Sequence, residues 1–232
     1  LVREATAALT LPAVELAGFE ADDMIATYAA AAEAAGLATT IVSSDKDLMQ
    51  LVRGDVTMLD PMKQRRIGAA EVVERFGVPP EKVVDVQALA GDSTDNVPGV
   101  PGIGIKTAAE LITTYGDLET LLARADEIKQ PKRRENLLNF AEQARLSRQL
   151  VLLRDDAPMP LALGALKTPA RDMDRLIAFL QQQDFKRLLV RVGAGGAAPQ
   201  HGTAGAPVAG TAVRSMASSP APQQTATGTS DA

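Results

Sequence analysis

Seven acidic residues fall into three short motifs: Gly18-Phe19-Glu20-Ala21-Asp22-Asp23, Ser43-Ser44-Asp45-Lys46-Asp47 and Gly91-Asp92-Ser93-Thr94-Asp95-Asn96. A pocket built of carboxylates alone repels a phosphodiester. Filled with divalent cations, the same pocket attracts one and activates water against it. Each acid also has a plainer use. Taken singly, Asp22, Asp23 or Asp45 reads as a helix cap, and Gly91-Asp92-Ser93-Thr94-Asp95-Asn96 contains only residues that favour turns. Three clusters with doubled acids shift the balance toward metal, because like charges packed together destabilise a fold unless a cation compensates them.

Composition narrows the cation. The 232 residues contain no cysteine and one histidine, His201, in a Gly/Ala/Pro-rich tail. Disulfides, thiolate catalysis and cysteine-ligated zinc are excluded. Oxygen ligands remain, and they suit Mg²⁺ or Mn²⁺. No twelve-residue stretch has the acid and glycine placement of an EF-hand. The net charge of -5 does not advertise a nucleic-acid binder, although clustered metal-binding acids distort such a count. No apolar run approaches the roughly 20 residues needed to span a bilayer, and no signal-peptide pattern opens the chain. It begins Leu1-Val2-Arg3, which reads as a start inside a domain.

The third acidic motif runs into Val97-Pro98-Gly99-Val100-Pro101-Gly102-Ile103-Gly104-Ile105-Lys106. Glycines permit tight turns and close approach, and the helix starting near Ile105 offers free N–H groups with a favourable dipole. Lys106 adds a charge and Thr107 a hydroxyl. The Walker pattern fails, because Ile105 separates Gly104 from Lys106 and a helix precedes the loop. The remaining readings are a plain helix–loop–helix turn and a helix–hairpin–helix that grips a nucleic-acid backbone without reading bases. Gly99, Gly102, Gly104, Lys106 and Thr107 are the candidate DNA contacts. Lys129, Lys132, Arg133 and Arg134 read as a solvated face that could extend a phosphate track.

The elements that must position these residues alternate in type. The pattern predicts helix over 3–9, strand over 14–16, helix over 20–35 closed by Gly36, strand over 38–43 and a short helix over 46–52. Strands over 56–59 and 65–67 flank Pro61, and helices follow over 70–76 and 81–90. This is an α/β pattern, a mostly parallel sheet flanked by helices, in which two acidic clusters would share the rim beyond the strand ends. Beyond Gly104 helices dominate: 106–115, 118–123, a long one over 133–152, and 172–182. Residues 193–232 hold almost no large apolar side chains and should be disordered. The expected domains are 1–96, the carboxyl-side part of an α/β nuclease domain; 97–192, the helical hairpin region; and 193–232, a linker or tail.

Together the motifs, in order and spacing, resemble the 5′-nuclease domain of bacterial DNA polymerase I, within the flap endonuclease family. The resemblance covers about residues 1–190. It implies an incomplete PIN-like fold and a 5′–3′ exonuclease and structure-specific flap endonuclease that uses two Mg²⁺ or Mn²⁺ ions in primer removal and nick translation. It implies that Glu20, Asp22, Asp23, Asp45, Asp47, Asp92 and Asp95 match the family's metal ligands, with Asp23, Asp45 and Asp92 as the catalytic acids. It also implies a hairpin that binds duplex DNA, with K⁺ there in many members. The expected partners are 5′ flaps and nicked or branched duplexes, with proofreading and polymerase domains following, in a cytoplasmic, nucleoid-associated protein without a membrane anchor. The family's first metal-binding Asp and its arch lie upstream of Leu1, so cleavage by this polypeptide alone is not expected. The alternatives are a non-catalytic helix–hairpin–helix module and a nuclease of another fold acting on RNA.

Overall fold

The structure is a computed structural model that describes residues 1–193. The tail expected over 193–232, with His201, lies outside the described residues except for Gly193. Residues 1–179 form one compact unit, and a second begins at Leu180.

The first unit opens with α1 (Val2–Ala8) and α2 (Ala21–Ala34), followed by β1 (Thr39–Val42), a 3₁₀ turn (Asp47–Leu51), β2 (Val56–Asp60) and β3 (Arg65–Ile67). β1 runs parallel to β2, with Ile41 opposite Met58, and β3 returns antiparallel, with Ile67 opposite Met58 on the other side. The α/β class holds, as a small mixed sheet. β2 shows the period of two that a half-buried strand requires: Val56, Met58 and Asp60 are buried. The strand expected over 14–16 is irregular chain instead. So short a run needs a neighbour to pair with, and in the described sheet β1 pairs only with β2. Glu15 is tied to Arg3 by hydrogen bonds of 2.7 and 2.8 Å.

After α3 (Ala69–Phe76) comes α4 (Val83–Ala90), the helix on which the unit is built. All its residues from Val83 to Leu89 are buried, as expected of a helix apolar nearly all round. Its two buried polar residues both have partners: Asp85 accepts from Arg148 Nε at 2.8 Å, and Gln87 donates to Asp47. α5 (Ile105–Tyr115), α6 (Leu118–Ala123), α7 (Pro131–Asn139) and α8 (Ala141–Val151) enclose it, and a single core runs from Ala26 on α2 to Ala144 on α8. The single helix expected over 133–152 is broken at Phe140 (φ -113°, ψ 20°). No glycine or proline marks the break. It lets Asn136 of α7 and Gln143 and Ser147 of α8 reach the same loop at Gly99 and Pro101, so tertiary contacts override local propensity. α9 (Met173–Gln182) and α10 (Lys186–Arg191) follow, the second unforeseen. Among the described residues no helix is long and apolar enough to cross a membrane.

Candidate active site

Each acidic cluster is held by backbone geometry. Glu20 caps α2, which places Asp22 and Asp23 in its first turn, where the dipole favours negative charge. Asp45 follows β1 and accepts the Asp47 N–H at 3.0 Å, turning the chain into the 3₁₀ helix. Asp92 follows α4 and exchanges two 2.8 Å backbone hydrogen bonds with Val97, while its Oδ1 accepts from Thr94 N at 2.8 Å. The bridge between Asp92 and Val97 joins the third cluster directly to the glycine hairpin.

The second and third clusters meet at Lys46. Its Nζ pairs with Asp92 and lies 3.6 Å from Asp47 Oδ1 and 3.9 Å from Asp95 Oδ2. Burial alone would lower this ammonium's pKa; the Asp92 hydrogen bond and the charges of Asp47, Asp92 and Asp95 outweigh it and raise it. Asp92 is correspondingly lowered, first by the Lys46 hydrogen bond. Asp47 is raised, chiefly by burial, against the Gln87 hydrogen bond and Lys46. The first cluster joins through charge: burial and then Asp45, Asp47, Glu20 and Asp23 raise Asp22. Among the described residues no three acids stand close enough together to hold an ion. The carboxylates are gathered around an ammonium rather than closed on one another.

Asp23, expected among the catalytic acids, reaches this group through its charge on Asp22. Both its oxygens also accept backbone N–H groups: Oδ1 from Arg154 at 2.9 Å and Oδ2 from Glu20 at 3.3 Å. It braces the segment after α8 against α2. Thr27 and Tyr28 extend that brace through Ala157 N (3.1 Å) and Leu161 O (2.7 Å).

The pKa directions carry a stability consequence. A carboxyl raised in the folded state binds its proton more readily folded than unfolded. Asp22 and Asp47 therefore cost stability at neutral pH, and that cost fades as pH falls toward the ordinary carboxylate range of about 4. Asp92 behaves oppositely: its contribution is present above that range and is lost as pH falls through its lowered value. Asp22→Asn should accordingly stabilise the metal-free chain by about 1 kcal/mol, allowing for solvent screening. In a chelator-treated thermal melt that is a rise of roughly 3 °C. A lower melting temperature would show that Asp22 is a cap rather than a strained acid.

The hairpin divides the five candidate DNA contacts. Gly99 is buried, with its N–H given to Ser147 Oγ at 3.0 Å and its C=O taken by Gln143 Nε2 at 2.7 Å. It shapes the loop and has no amide to offer a phosphate. Gly102 and Gly104 are exposed, and Gly104 caps α5 without a side-chain bond, in an extended conformation (φ -97°) open to any residue. Lys106 is exposed and Thr107 half-buried in the first turn of α5. Lys106 and Arg75 both line a groove of about 720 Å³ between α3 and α5. In the basic run, Lys132 pairs with Glu135 at 3.1 Å and Arg134 donates to Ile128 O at 3.4 Å.

Two family models match adjoining parts of the chain: 5′–3′ exonuclease, N-terminal resolvase-like domain, over residues 1–77, and 5′–3′ exonuclease, C-terminal SAM fold, over residues 78–174. The chain belongs to the 5′–3′ exonuclease family. DNA polymerase I of Rhizobium leguminosarum is 59% identical to it over 192 residues, 83% of this chain and 19% of that protein. Thermostable DNA polymerase I of Thermus thermophilus is 41% identical over 193 residues, 83% of this chain and 23% of that protein. The chain thus spans about a fifth of the polymerases it matches. A solved structure of T5 5′-exonuclease with divalent metal ions (zinc) bound is 26% identical, with a TM-score of 0.57, covering 61% of this chain and 53% of that one. The catalytic core of Rad2 in complex with DNA substrate, at 14% identity and TM-score 0.53 over 82% of this chain and 68% of that one, shares the fold.

Three residues beside the acids escape the motifs. Lys46 was in plain view between Asp45 and Asp47, but nothing local says that its ammonium turns toward Asp92. Gln87 carries no signal, since its contact with Asp47 is made across the fold. Arg154, whose guanidinium lies 4.8 Å from the Phe19 ring centre, reaches the first cluster from a distant segment.

Proposed function

We propose that this chain is the 5′-nuclease part of a DNA polymerase I, a metal-dependent 5′–3′ exonuclease and flap endonuclease acting in primer removal and nick translation. One observation carries the reading: acids of the second and third segments gather around Lys46, the charge of Asp45 and Asp47 reaches Asp22 on the first, and the third segment is bridged at Asp92–Val97 to the hairpin that opens α5. The donor set is all oxygen, which fits Mg²⁺ or Mn²⁺, and the cluster already holds a cation in the Lys46 ammonium. Asp22, Asp45, Asp47, Asp92 and Asp95 would hold two such ions, with Glu20 at the rim and Asp23 bracing. Bound there, the ions would supply Lewis acidity and the positive charge that lets a phosphodiester approach. The relatives named DNA polymerase I and the zinc-bound T5 5′-exonuclease support the assignment.

The chain's own residues then have distinct tasks. Asp92 and Asp47 fix the floor of the pocket, through the hairpin bridge and the Gln87 contact respectively. The exposed first turn of α5 offers unpaired amides, Lys106 and the Thr107 hydroxyl to a backbone phosphate of a flap, nick or branch, with K⁺ as a further candidate at the hairpin. Such contacts position a duplex and read no sequence.

The test begins with cleavage of a 5′-flap duplex by the full-length polymerase, with and without Mg²⁺. Metal-independent cutting, or none at all, would refute the nuclease assignment; binding without cutting would favour a non-catalytic hairpin module. An RNA substrate cut in preference to DNA would point to the third class. For the hairpin, Lys106→Ala should weaken binding equally for two unrelated flap duplexes. It should also lower the slope of log affinity against log salt by about one unit, since a phosphate contact releases about one counterion. Fluorescence anisotropy over a salt series measures both. An unchanged slope would make the loop a turn and nothing more.

A further inference from the structure

We propose that Lys46 is a built-in counter-ion, an ammonium that occupies the acidic pocket and must be displaced before divalent cations enter. The inference rests on the metal-site reading above and adds a competitor to it. Two observations point the same way. The ammonium reaches Asp92, Asp47 and Asp95, acids from two of the three clusters. The carboxylates, in turn, are spread around that ammonium, with no three of them grouped at ligand spacing among the described residues.

The pair at its centre is not a surface pair of negligible worth. The Lys46 side chain is 26% exposed and that of Asp92 10%, so water screens the contact less than it would at a rim. Asp92 is also fixed by Thr94 N and by the Val97 bridge, so Lys46 is the partner that would move. Lys46 stands at the entry to the 3₁₀ helix with helical backbone angles. Its ammonium can therefore swing out while its backbone stays in place, because a lysine stem is flexible and its charge is a compact point. One charge thereby holds the acids together when no metal is bound, and a divalent ion brings two.

Competition weakens the apparent metal affinity by the fraction of time the acids are free. Occupied about nine-tenths of the time, the pocket would bind a metal about tenfold more weakly than the same acids without the lysine. Reciprocity requires that metal release the ammonium. This makes two independent experiments possible, neither reading catalysis.

The first is calorimetric titration of Mn²⁺ into the chain, Lys46→Met, Lys46→Arg and Asp47→Asn. Lys46→Met should bind about tenfold tighter, while Lys46→Arg, which keeps the charge, should stay within about threefold of wild type. Lys46→Met should also melt below wild type in chelator and gain more from Mn²⁺. Equal or weaker binding by Lys46→Met, with Asp47→Asn clearly impaired, would overturn the counter-ion while leaving the metal site intact. Identical curves for wild type and Asp47→Asn would overturn the metal site and the inference with it.

The second experiment needs no variant, should Lys46→Met fail to fold. Reductive methylation of the wild-type chain, followed by mass spectrometry, compares Lys46 with the exposed Lys106. Lys46 should be the slower without metal, by about tenfold, and should approach Lys106 when saturating Mg²⁺ is added. A Lys46 rate indifferent to Mg²⁺ would overturn the proposal.

Discussion

Gly99→Ala is expected to be the most destabilising single-methyl change in the acidic-motif and hairpin region. The chain crosses itself there. A Cβ on Gly99 would lie 2.7 Å from the Ala90 carbonyl carbon and from Gly91 Cα, and a Cβ on Gly91 would lie 2.7 Å from Val97 O. All these neighbours are backbone, so none can rotate aside. Both glycines also have positive φ, +62° and +71°. The strained backbone costs about 1–3 kcal/mol for an alanine and the enforced overlap about as much again. A total of about 4 kcal/mol corresponds to a melting temperature lowered by roughly 10 °C in a domain of this size. The methyl would also push Gly99 off Ser147 and Gln143, so α8 would lose its grip on the loop. Gly104→Ala is the control, since nothing lies within 4 Å of its Cβ position, and should cost less than about 1 kcal/mol. Circular dichroism melts of both variants decide it. A Gly99→Ala melt close to that of Gly104→Ala would mean that the crossing is not fixed in solution.

How far the sequence discloses this architecture depends on what each residue's neighbours are. Periodicity placed α2, β1, the β2–β3 hairpin, α3 and α5 to within a residue or two, because in each the apolar spacing is a local property with a local stop such as Gly36, Gly77 or Gly116. It failed over 14–16, where Val14 and Leu16 look like a strand but no strand among the described residues pairs with them. It failed again at Phe140, where the helix breaks for the sake of contacts to Gly99 and Pro101, more than thirty residues away in sequence. The acids were legible because each sits in a turn motif that local chemistry explains. Their grouping was not, because it depends on α4 carrying Gln87 to Asp47 and on Lys46 turning toward Asp92. The same distance effect hid Asp23's bond to Arg154 N. Its partner Arg154 N belongs to a segment that no spacing rule links to α2.

The bracing role proposed for Asp23 sets it apart from the other acids in an expected result. In the full-length polymerase proposed for this chain, Asp92→Asn and Asp47→Asn should each lower flap cleavage in Mg²⁺ by about a thousandfold, roughly 4 kcal/mol of transition-state stabilisation. Binding of the uncleaved flap should change by no more than about threefold, because the first turn of α5 and Lys106 lie on the hairpin rather than among the acids. An asparagine keeps one oxygen, so the Thr94 N–H still has its acceptor and the Asp92–Val97 bridge, made by backbone, is untouched. The loss is then one of charge. Asp23→Asn should behave differently. One of its two side-chain oxygens that accept a backbone N–H is removed, which costs about 1 kcal/mol of stability, and cleavage at a temperature well below the melt should fall far less than in Asp92→Asn. Single-turnover cleavage, flap anisotropy and thermal melts on the three variants give the comparison. If Asp23→Asn loses as much rate as Asp92→Asn with no change in melting temperature, Asp23 belongs with the metal ligands and its bonds to Arg154 and Glu20 are incidental. If Asp92→Asn loses binding in proportion to rate, the acidic pocket is a docking surface and the chemistry lies elsewhere.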